Sequence, residues 1–185
     1  MDINTRVNAP VDRVDADIHA FQDMRDLRAA FGRMPQTPRL LSSPDDAAAI
    51  DFSGQRTRVL LSGEESGGQF VIFLVELSPG FGAPDHHQAE EDEWWFVLEG
   101  EIDVVIGDEA RRVGAGASAY APRGCRHSFV NNSDRVARMI SMNAPAGHER
   151  FFEAVSRLPG IVDDGMRDKL MRDHGVEFHG KVVLD

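Results

Sequence analysis

The sequence has one cysteine, Cys125, and one tyrosine, Tyr120, in 185 residues. A lone thiol forbids an internal disulfide, so the fold must close by packing, and it suits a reducing compartment. Basic residues are scarce: 20 Lys and Arg stand against 31 Asp and Glu, a formal net charge of −11. A surface of that sign repels nucleic-acid phosphates and anionic lipid headgroups, and no basic patch or helix-turn-helix pattern offsets it. No nucleic-acid or membrane partner is expected. Long apolar runs are missing too, none approaching the roughly 20 residues that span a bilayer. The N-terminus interleaves Asp2, Arg6, Asp12 and Arg13 where a signal peptide carries an apolar core. Internal repeats and low-complexity tracts are absent. A soluble cytoplasmic protein of one domain with extensions is expected.

What is present is a hydrophobic period that changes along the chain. Val14, Ile18, Phe21, Met24, Leu27 and Phe31 recur at intervals of three and four, which predicts an amphipathic helix over 11–31 ended by Gly32. That helix either packs on its own barrel or reaches a second subunit. Pro35, Pro38 and Pro44 mark an irregular connector, with a short helical turn at 45–49. From Gln55 the period shifts towards two. Strands are predicted at 58–61, 70–77, 93–100, 101–106, 110–113, 117–120, 127–131 and 137–142, separated by turns and with no helices between them. Such a pattern makes an antiparallel barrel or sandwich. After Pro145 the helical period returns. Phe151, Phe152, Val155 and Leu158 share a face closed by Pro159-Gly160, and a last helix over 163–174 turns Met166, Leu170 and Met171 inward before Gly175. The predicted division is a helical arm and connector over 1–50, a β-barrel over 51–145 and C-terminal helices over 146–185, the tail from Val176 carrying no signal of its own.

The chemistry concentrates between Gly80 and Asn131. His86 and Gln88 are two apart, so on an extended segment both point to one side and His87 to the other. Glu93 opens the next strand after an acidic turn (Glu90, Glu91, Asp92), with Trp95 and Val97 on its side and Trp94, Phe96 and Leu98 opposite. A second turn, 122–126, delivers His127 on a neighbouring strand. Two imidazoles and a carboxylate thus converge inside the barrel, a facial donor set that suits Fe(II) or Mn(II) and leaves positions open.

These residues resemble the two signature motifs of the cupin superfamily. Gly116, Pro122, Gly124, His127 and Asn131 match every fixed position of the second motif. Gly80, His86, Glu93 and Gly100 match the first, and Gln88 stands where the family has its second histidine. The segment 143–152 looks like the one that follows the barrel in small bacterial quercetinase-like cupins. The resemblance implies an all-β chain with a single cupin barrel, an antiparallel double-stranded β-helix or jelly roll, to which the helical periods above add N- and C-terminal helices. It also implies a homodimer and a divalent ion, iron, manganese, nickel or zinc, held by His86, Glu93 and His127. Gln88 leaves three outcomes open: a fourth ligand, a hydrogen-bonding group beside a three-ligand site, or no metal.

For the other candidates the structural reading comes first. Trp95, Phe73 and Phe129 are strand and core residues that also suit the wall of a substrate pocket. Tyr120, two before Pro122, is a candidate inward acid, base or donor, and Glu93 doubles as ligand and base. Asn131 reads as a structural hydrogen-bonding group, Cys125 as a small buried thiol, and the acidic turn as a solvated loop. His19, His148, His174 and His179 read as surface or capping groups on helices outside the barrel. The expected function is a metal-dependent oxidoreductase, a dioxygenase of a small aromatic or enol-type molecule. Its rivals are an isomerase, epimerase or lyase using the metal as a Lewis acid, and a non-catalytic small-molecule binder.

Overall fold

The computed structural model describes residues 40–157, apart from 42 and 53, and residues 164–180. The helix expected over 11–31, most of the connector, and Leu158, Pro159 and Gly160 lie outside the described residues, as do the side chains of Val155 and Met166. Among those described, the strands are β1 (Ala49–Phe52), β2 (Gln55–Leu61), β3 (Val71–Leu77), β4 (Gly82–Gln88), β5 (Asp92–Glu99) and β6 (Glu101–Ile106). There follow β7 (Glu109–Gly114), β8 (Ser118–Ala121), β9 (His127–Val130), β10 (Ala137–Ala144), helices α1 (Glu149–Ser156) and α2 (Asp164–Asp173), and β11 (Val176–Gly180). A 3-10 turn, Pro44–Asp46, opens the described chain, capped by Ser43. No helix among the described residues is long and apolar enough to cross a membrane.

The strands form two antiparallel sheets, ordered β1-β2-β3-β10-β5-β8 and β11-β4-β9-β6-β7. Alternation of side chains along each strand puts one apolar set between the sheets. Val71, Phe73, Val75 and Leu77 of β3, Val97 of β5, Ile102 and Val104 of β6, Phe129 of β9 and Met139 of β10 are all buried there. Along β5 burial alternates as expected from Glu93 onward: Glu93, Trp95 and Val97 face in. The predicted barrel strands are all present. Three strands are not among those predicted: β1, which follows the proline-rich connector, β4, expected only as an extended segment around His86 and Gln88, and β11, in a tail that carries no signal of its own.

The motif glycines close the barrel at its turns. Gly100 joins β5 to β6 at φ +77°, and a Cβ there would press on Ala137 of the neighbouring strand at 3.0 Å. The Gly80 amide donates to the Asn131 carbonyl at 2.7 Å, and the Asn131 amide returns a bond to Phe81. The Asn131 side chain, fully buried, donates to the carbonyls of Leu77 and Arg135. Asn131 therefore has the structural role expected of it. At the other end of the barrel the Gly124 amide donates to the Gln88 carbonyl at 2.7 Å, tying the turn that carries His127 to the strand that carries His86.

Candidate metal centre

Strand register brings the three donors together across both sheets. His86 of β4 lies directly opposite His127 of β9 in one sheet. Glu93 reaches them from β5 in the other sheet, where it pairs with Asn143 of β10 and Ala121 of β8. The donor atoms of His86, Glu93 and His127 all lie within 4.8 Å of one another, and all three residues are buried.

The surroundings fix which atoms face the centre. His86 Nδ1 is 2.7 Å from the Pro84 carbonyl, and His127 Nδ1 is 2.9 Å from the Cys125 carbonyl. A carbonyl only accepts, so each Nδ1 carries the proton and each Nε2 keeps its lone pair. On Glu93, Oε1 accepts from the Trp95 indole N–H at 2.8 Å and from the Ser141 hydroxyl at 3.0 Å, which leaves Oε2 turned to the imidazoles. His127 Nε2 sits 3.3 Å from Glu93 Oε2, yet it has no hydrogen-bond partner of acceptable alignment and is fully buried. Two lone-pair donors and a carboxylate oxygen facing one another without a proton between them are a disfavoured arrangement unless a cation stands there. The residues therefore fit a divalent ion, with locked tautomers and a held carboxylate of the kind that ligands need.

The electrostatics agree. Burial, reinforced by His127, pushes the His86 imidazole down to about 4, so it is neutral at ordinary pH. Burial alone would raise the Glu93 carboxyl, but His127, His148 and His86 hold it at about 2. A carboxylate at Glu93 and a neutral imidazole at His86 are the forms in which these groups bind a metal.

Gln88 occupies a different place. It is buried on the same side of β4 as His86, as strand parity requires. Its Oε1 accepts from Asn143 Nδ2 at 3.1 Å, and its Nε2 lies 3.4 Å from His148 Nδ1. The oxygen end of the amide is engaged by Asn143, while Nε2, which can only donate, is in a long contact with His148 Nδ1. Gln88 Oε1 thus makes the contact of a hydrogen-bonding group, to Asn143.

Beside the centre lies a cavity of about 270 Å³. Phe73 and Phe129 line it, and so do Phe52, Phe151, Phe152 and Phe178. His86, Glu93, Ser141 and His148 supply its polar lining. Trp95 does not wall the cavity: it is 1% exposed, packed behind His127 and Phe129, and its role is to hold Glu93. Tyr120 is a correction. It pairs with Trp94 on the outward register of β5 and is 54% exposed, so it cannot serve the interior as acid, base or donor.

Three further residues depart from expectation. His148 is no surface group; its ring packs among Phe73, Phe151 and Phe152 and lines the cavity. Glu91 is not solvated, since its side chain is turned in against His148 and is 12% exposed. His179, on β11 rather than a helix, lies 2.7 Å from His87 on the outer face. Strand β11 itself lays Phe178 opposite His86 and Val176 opposite Gln88. The C-terminal segment thus belongs to the cavity, and the only advance signal was its run of aromatic and β-branched residues.

Comparison with known proteins agrees with this architecture. Residues 73–143 match the family described as "Cupin domain", and the two-sheet barrel is a cupin fold. KdgF from Halomonas sp. superposes with a TM-score of 0.55 at 16% identity, over 62% of this chain and 99% of that one. The chain is 28% identical over 111 residues to the HTH-type transcriptional regulator PuuR of Escherichia coli K12, 60% of each chain. It is 30% identical over 94 residues to the tetracenomycin polyketide synthase protein TcmJ of Streptomyces glaucescens, 50% of this chain and 62% of that one. The matches span about 60% of the length of these curated relatives. Over residues 73–143 the chain is similar to a cupin domain, and three converging donors that could hold a metal ion lie beside an aromatic cavity.

Proposed function

We propose that the protein is a metal-dependent enzyme acting on a small aromatic or enol-type molecule, and that its reaction is a dioxygenation. The observation that carries this reading is the convergence of His86 Nε2, His127 Nε2 and Glu93 Oε2 at the polar end of a phenylalanine-lined cavity. Three protein donors leave coordination positions free, and the likeness to TcmJ, a polyketide synthase protein, is in keeping with an enol-type substrate. A divalent ion bound there supplies Lewis acidity and, if redox-active, electrons for oxygen chemistry.

The chain's own residues do the rest. The phenylalanines bury the flat body of the substrate and exclude water, so its oxygen substituents meet the polar end in a low-dielectric setting. Trp95 and Ser141 hold Glu93 by Oε1, leaving Oε2 to ligate or to accept a substrate proton. A homodimer acting in the cytoplasm is part of the same proposal.

The test is metal-stripped protein reloaded with iron, manganese, nickel or zinc and offered flavonols, β-diketones and catechols under an oxygen electrode. Oxygen uptake that vanishes in Glu93→Gln and His127→Ala is the expected result. Turnover without oxygen would replace dioxygenation by isomerase or lyase chemistry. Ligand binding without turnover would favour a second reading, a ligand-sensing cupin, to which the PuuR match and the engaged Gln88 amide lend support.

A further inference from the structure

We infer that His148 is a catalytic residue of this cavity, a base that takes the O–H proton of a bound phenol or enol, and that Glu91 positions it. The inference rests on the aromatic or enol substrate class proposed above. His148 comes from the segment after the barrel, just ahead of α1, and its side chain is 12% exposed. Its ring stacks on Phe151 at 5.7 Å and meets Phe152 edge-on at 5.3 Å, so packing fixes its plane. Nδ1 faces the Glu91 carboxylate at 3.4 Å and the Gln88 amide nitrogen at 3.4 Å. A carboxylate only accepts and carries charge, so it decides the tautomer over the neutral amide: the proton sits on Nδ1. That leaves the lone pair on Nε2, which has no hydrogen-bond partner among the described residues. His148 and Glu93 both line the cavity, so one ligand meets both.

A carboxylate that holds one nitrogen of an imidazole while the other faces a ligand is the arrangement of a general base with its orienting group. The step balances without a further reactant. The O–H bond of the ligand breaks, an Nε2–H bond forms, and the electron pair stays on oxygen as phenolate or enolate. The resulting imidazolium is stabilised by Glu91. Burial alone would disfavour that cation, yet Glu91, Glu93 and Glu149 together raise the affinity of His148 for a proton above that of a free imidazole. The donors of the metal centre serve another purpose, since their Nε2 and Oε2 atoms face one another and not His148.

The experiment uses a chromophoric phenol, 4-nitrophenol, whose absorption separates phenol from phenolate. Metal-stripped protein is used, so that no ion ionises the probe, at a pH below the phenol's own pKa. Binding is followed separately by calorimetry. Wild type is expected to bind the probe and show the phenolate band. His148→Gln is expected to bind within a few fold of wild type and lose that band by at least about tenfold. Glu91→Gln, which leaves the ring in place, is expected to weaken the band while binding persists. A phenolate band that survives in His148→Gln overturns the inference, as does a wild type that binds only neutral phenol; the substrate class stands in both cases. Failure of wild type to bind the probe overturns the substrate class and the inference with it.

Discussion

Replacing Gln88 by leucine separates a ligand from a hydrogen-bonding group. Leucine nearly conserves the buried volume, so little cavity results and the change is essentially the loss of the amide. The partner left behind is Asn143, fully buried, whose Nδ2 now donates to Gln88 Oε1 at 3.1 Å. A buried donor deprived of its acceptor costs about 1–3 kcal/mol. The contact to His148 at 3.4 Å is too long to add much. For a chain of this size that corresponds to roughly 3–10 °C in Tm. None of the three donor atoms is touched, so metal stoichiometry should stay at one per chain, with affinity falling by about tenfold at most. Chelator-competition titration with zinc or manganese reads the affinity, and urea unfolding of the stripped protein reads the stability. Loss of metal as complete as in Glu93→Ala would refute the reasoning and make Gln88 a ligand. Unchanged stability would refute the part assigned to Asn143.

Trp95→Phe and Ser141→Ala each remove one of the two donors to Glu93 Oε1. Each should lower metal affinity by about 10–100-fold while leaving stoichiometry intact; an isothermal titration indistinguishable from wild type would show that the carboxylate needs no support. Gly82→Ala should be among the most damaging changes outside the donors, because a Cβ there runs into the Phe129 carbonyl and the Val130 backbone. A loss of about 3 kcal/mol and weaker metal binding are expected, since β4–β9 pairing sets His86 against His127; a loss below about 1 kcal/mol in urea unfolding would contradict it. The Arg112 guanidinium holds the Asp103 carboxyl below the usual carboxylate range, against partial burial and with help from Asn132. A depressed carboxyl contributes stability above its unfolded value, about 3.9, and loses it as pH falls through the folded value. Arg112→Ala should therefore cost stability near neutrality, with the gap from wild type closing in acid; a gap constant across the titration would sink this assignment.

The barrel was legible because β-strands announce themselves twice, by period and by the turns between them. The converging trio was legible for the same reason: parity along β4 and β5 says which residues face in, and the turn after Pro122 says where His127 arrives. Tyr120 shows how parity can also mislead. It was placed by its distance from Pro122, whereas its facing is set by register with Trp94, one step out of phase with Glu93. Trp95 was given the correct side but not its task, since periodicity cannot show that an indole N–H finds a carboxylate. His148 reads as a surface or capping group, and Phe151 and Phe152 as no more than an apolar helix face, because their partners, Glu91 and Phe73, come from distant parts of the chain. Strand β11 was missed because a short edge strand draws its stability from β4, not from its own sequence.

The glutamine at position 88 and the unexpected histidine belong to one arrangement. Parity aims position 88 into the same interior as His86, so a side chain there must reach either the converging donors or what lies beyond them. The amide reaches beyond, to Asn143 and His148. It is thereby bonded to β10 through Asn143 and lies against the segment that carries His148. A fourth imidazole ligand would strengthen the hold on the ion and fill one more coordination position. Without it an ion held by His86, Glu93 and His127 would keep that position open. A three-donor centre here would be more open than one with a fourth imidazole, beside a cavity that His148 lines with Glu91 against its ring.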